Sequence, residues 1–167
     1  MAAKVSTGAP TRPLSDVFPG VKAPKHVTVR THRDGDPFPV AVDDGYLFTS
    51  SELKPLQFWL QGNPWRGLLL TGPTGSGKTA LIEQAAARTG WPLEVVPCHA
   101  GLEFKEMIGM VTLNKDGSTG WQDGSLIRAM ETGAILLLDE INGAPPSVLI
   151  GINTALDGRR YTIPETG

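Results

Sequence analysis

Gly72-Pro73-Thr74-Gly75-Ser76-Gly77-Lys78-Thr79 constrains this chain more than any other stretch. It has the spacing G-x-x-x-x-G-K-[ST], the pattern of a loop that wraps a polyphosphate. Such a loop belongs between a strand that ends and a helix that begins. The flanks predict that setting. Gly67-Leu68-Leu69-Leu70 reads as a buried strand, and 79–88 reads as a helix. The glycines let the backbone close on a phosphate with its N–H groups inward. The helix N-terminus adds partial positive charge at the same place. The cradle is then Gly72, Pro73, Thr74, Gly75, Ser76, Gly77, Lys78, Thr79 and Ala80. Lys78 reaches the β/γ-phosphates, and the Thr79 hydroxyl ligates Mg²⁺.

A second motif supports the first. Ala134-Ile135-Leu136-Leu137-Leu138 is an apolar run that ends in Asp139-Glu140. The run predicts a central parallel strand, buried on both faces. Its carboxyl end is where open α/β sheets place ligands. Asp139 then stands in the Mg²⁺ shell, and Glu140 polarises the water that attacks the γ-phosphate. By itself, such an ending is as often a solvated acidic turn. The P-loop upstream favours the catalytic reading.

The 167 residues suffice for one domain with a real core, at 40% hydrophobic and 19% charged. No apolar stretch approaches the roughly 20 residues of a membrane span, so no membrane role is expected. The first residues lack the apolar core of a secretory signal. Cys98 is the single cysteine, which excludes an intrachain disulfide and suits a reducing cytoplasm.

Charge is unevenly spread. Up to residue 33, Lys4, Arg12, Lys22, Lys25, Arg30 and Arg33 face only Asp16, a balance of +5. The other 134 residues carry 9 basic and 16 acidic side chains, a balance of −7. Residues 1–39, basic and rich in proline, therefore read as an extended arm. A solvated tail is the favoured reading, ahead of contact with nucleic acid or with an acidic neighbouring subunit. Residues 40–167 read as the folded core. Within it the pattern predicts a helix through Leu53, Leu56 and Leu60, then the P-loop and its helix, stopped at Thr89-Gly90. A strand over 91–97 follows, with a short helix to Ile108 and a hairpin from Met110 to Trp121 turning at Asn114-Lys115-Asp116-Gly117. The last helices run from Ser125 to Thr132 and from the prolines at 145–146 to Leu156.

These residues together resemble the AAA+ ATPases of the MoxR type, including the small AAA+ subunit of cobaltochelatase. The stretches that carry the likeness are the P-loop, 82–92, Trp121 to Ala129 after the hairpin, and Leu138 to Pro146. The resemblance covers about 43–167. It implies a three-layer α/β P-loop NTPase with a parallel central sheet and a hairpin insert in helix 2. It also implies ATP or ADP with Mg²⁺, with Lys78 and Glu140 catalytic and Thr79 and Asp139 at the metal. The linker holding Tyr46 and Leu47 is expected over the adenine, with packing at the domain edge an equal alternative. Partners implied are copies of the chain in a ring, a hexamer, and a von Willebrand A-type domain protein or another client.

Only 27 residues follow Glu140. The family's sensor 1 strand, arginine finger, last strand and lid would come later. The chain is therefore expected to be the N-terminal portion of a longer core, weak or inactive by itself. Two other functions stay open at this point: a DNA-acting or restriction-type NTPase, with GTP as an alternative nucleotide, and a nucleotide-binding fragment without turnover. His99, past the second core strand, either restrains Glu140 or is a surface loop histidine. Arg159 and Arg160 either reach a neighbouring nucleotide or lie in a solvated turn.

Overall fold

The computed structural model describes residues 10–32, 40–61, 67–158 and 163. They fall into two compact units that divide at Leu93 and Glu94. No helix among the described residues is long and apolar enough to cross a membrane.

The first unit opens with β1 (Thr11–Pro13), α1 (Leu14–Val17) and β2 (Thr28–Arg30). β1 and β2 pair antiparallel, with Arg12 opposite Val29. Within the arm expected over 1–39, residues 10–32 carry these short elements. Phe18 and Val29 are fully buried, with Leu14 and Val17 beside them in the buried set. A few well-spaced apolar residues are enough here because the strip is laid on other elements rather than forming a core of its own. The Trp91 indole N–H donates to the Arg30 carbonyl at 3.3 Å, and the His32 amide donates to the Thr89 carbonyl at 2.8 Å. Residues 1–9 and 33–39 of the expected arm lie outside the described residues.

α2 (Ser50–Leu60) begins at Thr49, whose amide and hydroxyl both donate to the Glu52 carboxylate, at 2.9 and 2.7 Å. This is a reciprocal cap three residues ahead of the apolar face. Leu53, Leu56 and Leu60 are buried. On the helix side facing β2, the amides of Gln57 and Gln61 both donate to the Thr28 carbonyl. α3 (Lys78–Thr89) follows the P-loop and buries Leu81, Ile82, Ala85 and Ala86. The strand expected at 67–70 does not form. A strand exists only through a hydrogen-bonded neighbour, and none of the described residues pairs with this run. Leu69 consequently stays 71% exposed.

The second unit is built on β3 (Leu93–Pro97) and β6 (Ile135–Asp139), which run parallel as a two-stranded sheet. β6 was expected to be buried on both faces. Only Ile135 is buried, and Leu136 to Leu138 are half-covered; among the described residues β6 pairs with β3. The core joins Val96 and Cys98 to Met107 and Ile108 of α4 (Phe104–Ile108), Leu126 and Ile127 of α5 (Ser125–Thr132), and Val148 and Ile152 of α6 (Pro146–Leu156). Between α4 and α5 stands the expected hairpin, β4 (Gly109–Leu113) and β5 (Thr119–Asp123), in register Val111 to Trp121. Met110, Val111 and Leu113 on it are exposed.

The hairpin's base is held on three sides. Arg128 of α5 donates bidentately to Glu94 of β3, at 3.0 and 2.8 Å, and also to the Asp123 carbonyl at 2.7 Å. Glu94 is buried, and this fork satisfies its charge. Gly124 donates its amide to the Ile108 carbonyl at 2.8 Å. A Cβ at Gly124 would run into the Met107 carbonyl, so only glycine lets α4 and α5 meet here. Gly124→Ala is expected to destabilise the protein by about 1–3 kcal/mol, because backbone rather than a flexible side chain must give way. A urea denaturation midpoint unchanged from wild type would contradict this.

Candidate functional site

The P-loop turns into α3 through two glycines in left-handed conformation, Gly75 at φ 77° and Gly77 at φ 83°. No atom lies within 4 Å of where a Cβ would sit on either one. Conformation rather than crowding therefore demands glycine at these positions. Gly77 is the N-cap of α3 and supplies no side-chain hydrogen bond. A helix leaves its first amides without partners inside the helix. The residues from Thr71 to Gly77 are all exposed. A 12-residue helix thus ends in an open, uncapped N-terminus, the arrangement that accepts an anion. Lys78 Nζ is folded over the loop and donates to the carbonyls of Gly72, at 3.1 Å, and Pro73, at 2.9 Å. Its charge is thereby held at the same mouth. Thr79 and Ala80 continue the first turn, half-buried. The residues fit a polyphosphate.

The linker before the P-loop helix is fastened to that helix. Gln84, buried on α3, accepts from the Asp43 amide at 2.8 Å and donates to the Ala41 carbonyl at 3.2 Å. Arg88 donates to the Asp43 carbonyl at 2.8 Å and lies 5.8 Å from the centre of the Phe48 ring. Arg88 Nε is buried and has no acceptor among the described residues. Tyr46 is half-buried against Phe48, 4.8 Å between ring centres at an edge-to-face angle of 70°. Burial, then the Glu52 charge, raises its phenol above the ordinary value. Leu47 is 78% exposed. Neither Tyr46 nor Leu47 is consumed by a core, so both remain candidates to face a base. The sequence reading missed Phe48, Gln84 and Arg88, which do the fastening. The burial of Gln84 shows only in the structure, and nothing in the sequence set it apart.

In the second unit, β6 delivers Asp139 and Glu140 at its carboxyl end. Asp139 is tied to β3, because the Cys98 amide donates to its carbonyl at 2.8 Å. The Asp139 carboxylate accepts from the Glu140 amide at 3.2 Å. Glu140 has φ 53° and ψ 46°, and it is the one non-glycine residue at positive φ among the described residues. Such a conformation costs a residue with a Cβ about 1–2 kcal/mol and concentrates at functional positions. Its side chain is exposed. Gly143, in the turn after it, sits so close to β3 that a Cβ would lie 3.0 Å from the Cys98 carbonyl oxygen. His99 turns back on its own loop, where its Nδ1 accepts from the Gly101 amide at 3.2 Å. It makes no hydrogen bond to Glu140. Cys98 is buried, and burial followed by the charge of Asp139 raises its thiol above the ordinary value of 9.0. No group of three or more His, Cys, Asp and Glu gathers among the described residues. Arg159 and Arg160 lie outside them.

Comparison with known proteins yields a family and several relatives. The AAA domain (dynein-related subfamily) matches residues 67–167. Protein NorQ of Paracoccus denitrificans is 45% identical over 101 residues, which cover 60% of this chain and 37% of NorQ. Denitrification regulatory protein NirQ of Pseudomonas aeruginosa is 37% identical over 129 residues, 77% of this chain and 45% of NirQ. An uncharacterized protein of Staphylococcus haemolyticus is 43% identical over 108 residues, 61% of this chain and 41% of that protein. The chain spans less than half the length of each of these relatives.

Two outcomes follow from the site. Lys78→Ala is expected to reduce affinity for Mg²⁺-ATP at least about 100-fold, since a charge-assisted contact to phosphate is worth roughly twice a neutral one. Isothermal calorimetry on the folded variant checks it, and undiminished affinity would remove the loop from the site. The second concerns pH. The folded Cys98 thiol keeps its proton above the unfolded value, so its contribution to stability is full below about pH 8. That contribution is lost as pH rises through the folded pKa. Cys98→Ala is expected to flatten the fall in unfolding free energy between about pH 8 and pH 10 relative to wild type. Parallel slopes in urea melts of the two proteins would show that the thiol is not the source.

Proposed function

The chain belongs to the AAA domain family, in its dynein-related subfamily, among AAA+ ATPases of the MoxR type, and on that footing we propose that the complete protein binds ATP and hydrolyses it as one subunit of a ring. The observation that carries this reading is the open N-terminus of α3, uncapped by any side chain, with left-handed Gly75 and Gly77 before it and Lys78 across its mouth. The amides of the loop and first turn would hold the β- and γ-phosphates, with Lys78 shared between them. Thr79 and Asp139 would hold Mg²⁺, which when bound neutralises the phosphate oxygens. Glu140 would orient the attacking water and accept its proton. Its exposed carboxylate has no hydrogen-bond partner among the described residues, so it is open to such work. Tyr46 and Leu47 would flank the base, on a linker already tied to α3. The domain division belongs to the same proposal, a basic arm over 1–39 and the N-terminal portion of an ATPase core over 40–167, of which the family match covers 67–167.

The ring, a hexamer in this reading, would use hydrolysis to remodel or activate another protein. A von Willebrand A-type partner belongs to the same proposal. The printed name of NirQ gives that relative a regulatory role in denitrification, and an activating role of this general kind is consistent with it. The chelatase-like stretch 82–92 supports metal insertion as one form such activation takes. The hairpin β4–β5, with Met110, Val111 and Leu113 exposed, is the element offered to a client.

Glu140→Gln tests the chemistry. The amide keeps the shape but cannot take a proton, and loss of a general base costs about 10²–10⁴-fold in rate. In the complete protein, the variant is expected to bind ATP as wild type does and to hydrolyse it at least about 100-fold more slowly. Turnover near the wild-type rate with binding intact would assign the proton to another group.

A further inference from the structure

Residues 10–32 lie ahead of the family match, which begins at 67, yet they are fastened to the helix that carries the P-loop. Three contacts anchor them: the His32 amide to the Thr89 carbonyl at 2.8 Å, the His32 ring against Trp91 at 5.0 Å, and the Trp91 indole to the Arg30 carbonyl. The Thr28 carbonyl takes two side-chain amides from α2. The strip is thus set relative to both helices. From it, Phe18 projects as a fully buried ring.

Phe18 meets Phe48 edge to face, with ring centres 4.8 Å apart at 75°. Phe48 in turn meets Tyr46 at 4.8 Å and lies beneath Arg88. The linker between has no helix or strand, and Asp43, Asp44, Gly45 and Leu47 are exposed. Its position rests on four things: the Gln84 bonds, the Arg88 bond, the internal turn in which Tyr46 and Gly45 amides return to Asp43, and the Phe48 ring. The first three come from α3 or from within the linker. The fourth, the Phe48 ring, packs against Phe18.

We propose that Phe18 is a positioning residue for the nucleotide base: the N-terminal strip holds Phe48, Phe48 holds Tyr46, and Tyr46 presents one wall to the base. This rests on the reading of Tyr46 as a base contact. The strip would then affect recognition of the base and leave recognition of the phosphates alone, because the Phe18 ring packs against Phe48 of the linker.

The test compares two probes on the full chain, ATP and inorganic tripolyphosphate, each with Mg²⁺, by calorimetry. Phe18→Leu keeps an apolar filler and removes the ring. An edge-to-face pair is worth the equivalent of about two- to tenfold in binding, so ATP affinity is expected to fall about fivefold while tripolyphosphate affinity holds. Amide exchange at Tyr46 should quicken, with that at Leu81 on α3 unchanged. Phe48→Leu should give the same pattern, and it carries the test if Phe18→Leu fails to fold. Equal losses for both probes, or no loss for either, would overturn the proposal by making Phe18 structural only or irrelevant. If wild type binds neither probe, the nucleotide reading fails and this inference falls with it. If wild type binds tripolyphosphate and ATP equally well, the phosphate site stands and the base contact does not.

Discussion

A helix that begins with no side chain to cap it leaves its first amides to something outside itself, and this one fact organises the first unit. Gly77 sits where serine, threonine or aspartate would ordinarily close α3. A capping side chain would strengthen the helix and shut the mouth that an anion enters. The helix is instead secured away from that end. Its inner face buries four apolar residues, Gln84 and Arg88 grip the linker, and Thr89 takes the amide of His32. Gln84, Arg88 and Thr89, which carry these contacts, sit on the later turns, away from the uncapped end.

What the sequence made legible divides along the same line between local and distant causes. α5 matches the expected span from Ser125 to Thr132, and α6 starts at the prolines, because a helix end depends on the few residues beside it. The hairpin turn at Asn114 to Ser118 was equally local: Asp116 accepts from both the amide and the hydroxyl of Ser118. The run Gly67 to Leu70 has the composition of a strand and does not form one, since composition cannot supply the neighbour that a strand requires. The N-terminal strip is the opposite case. Its proline and charge read as extended chain, while its burial depends on Trp91, some sixty residues on, and on two glutamines of α2.

The candidate site was legible in its motif residues and not in the residues that hold them. Lys78, Thr79, Asp139 and Glu140 announce themselves by spacing. Gln84, Arg88 and Arg128 lie in stretches that carry the family likeness, yet neither they nor Phe48 and Glu94 announce in the sequence what they hold. These groups do structural work through pairings set only by the fold. His99 was a candidate by position, and its ring is occupied by its own loop.

Position 140 shows where two demands on one residue part company. The backbone there takes a left-handed turn that glycine would adopt without strain, and Gly143 just beyond already yields its side chain to let the turn lie against β3. A chain shaped for durability alone would place glycine or asparagine at 140. A carboxylate stands there instead, exposed at the end of a strand and held in a conformation that disfavours it. Under the proposed function, durability and chemistry pull on this residue in opposite directions, and the glutamate at a positive φ is what chemistry prevailing over durability would leave.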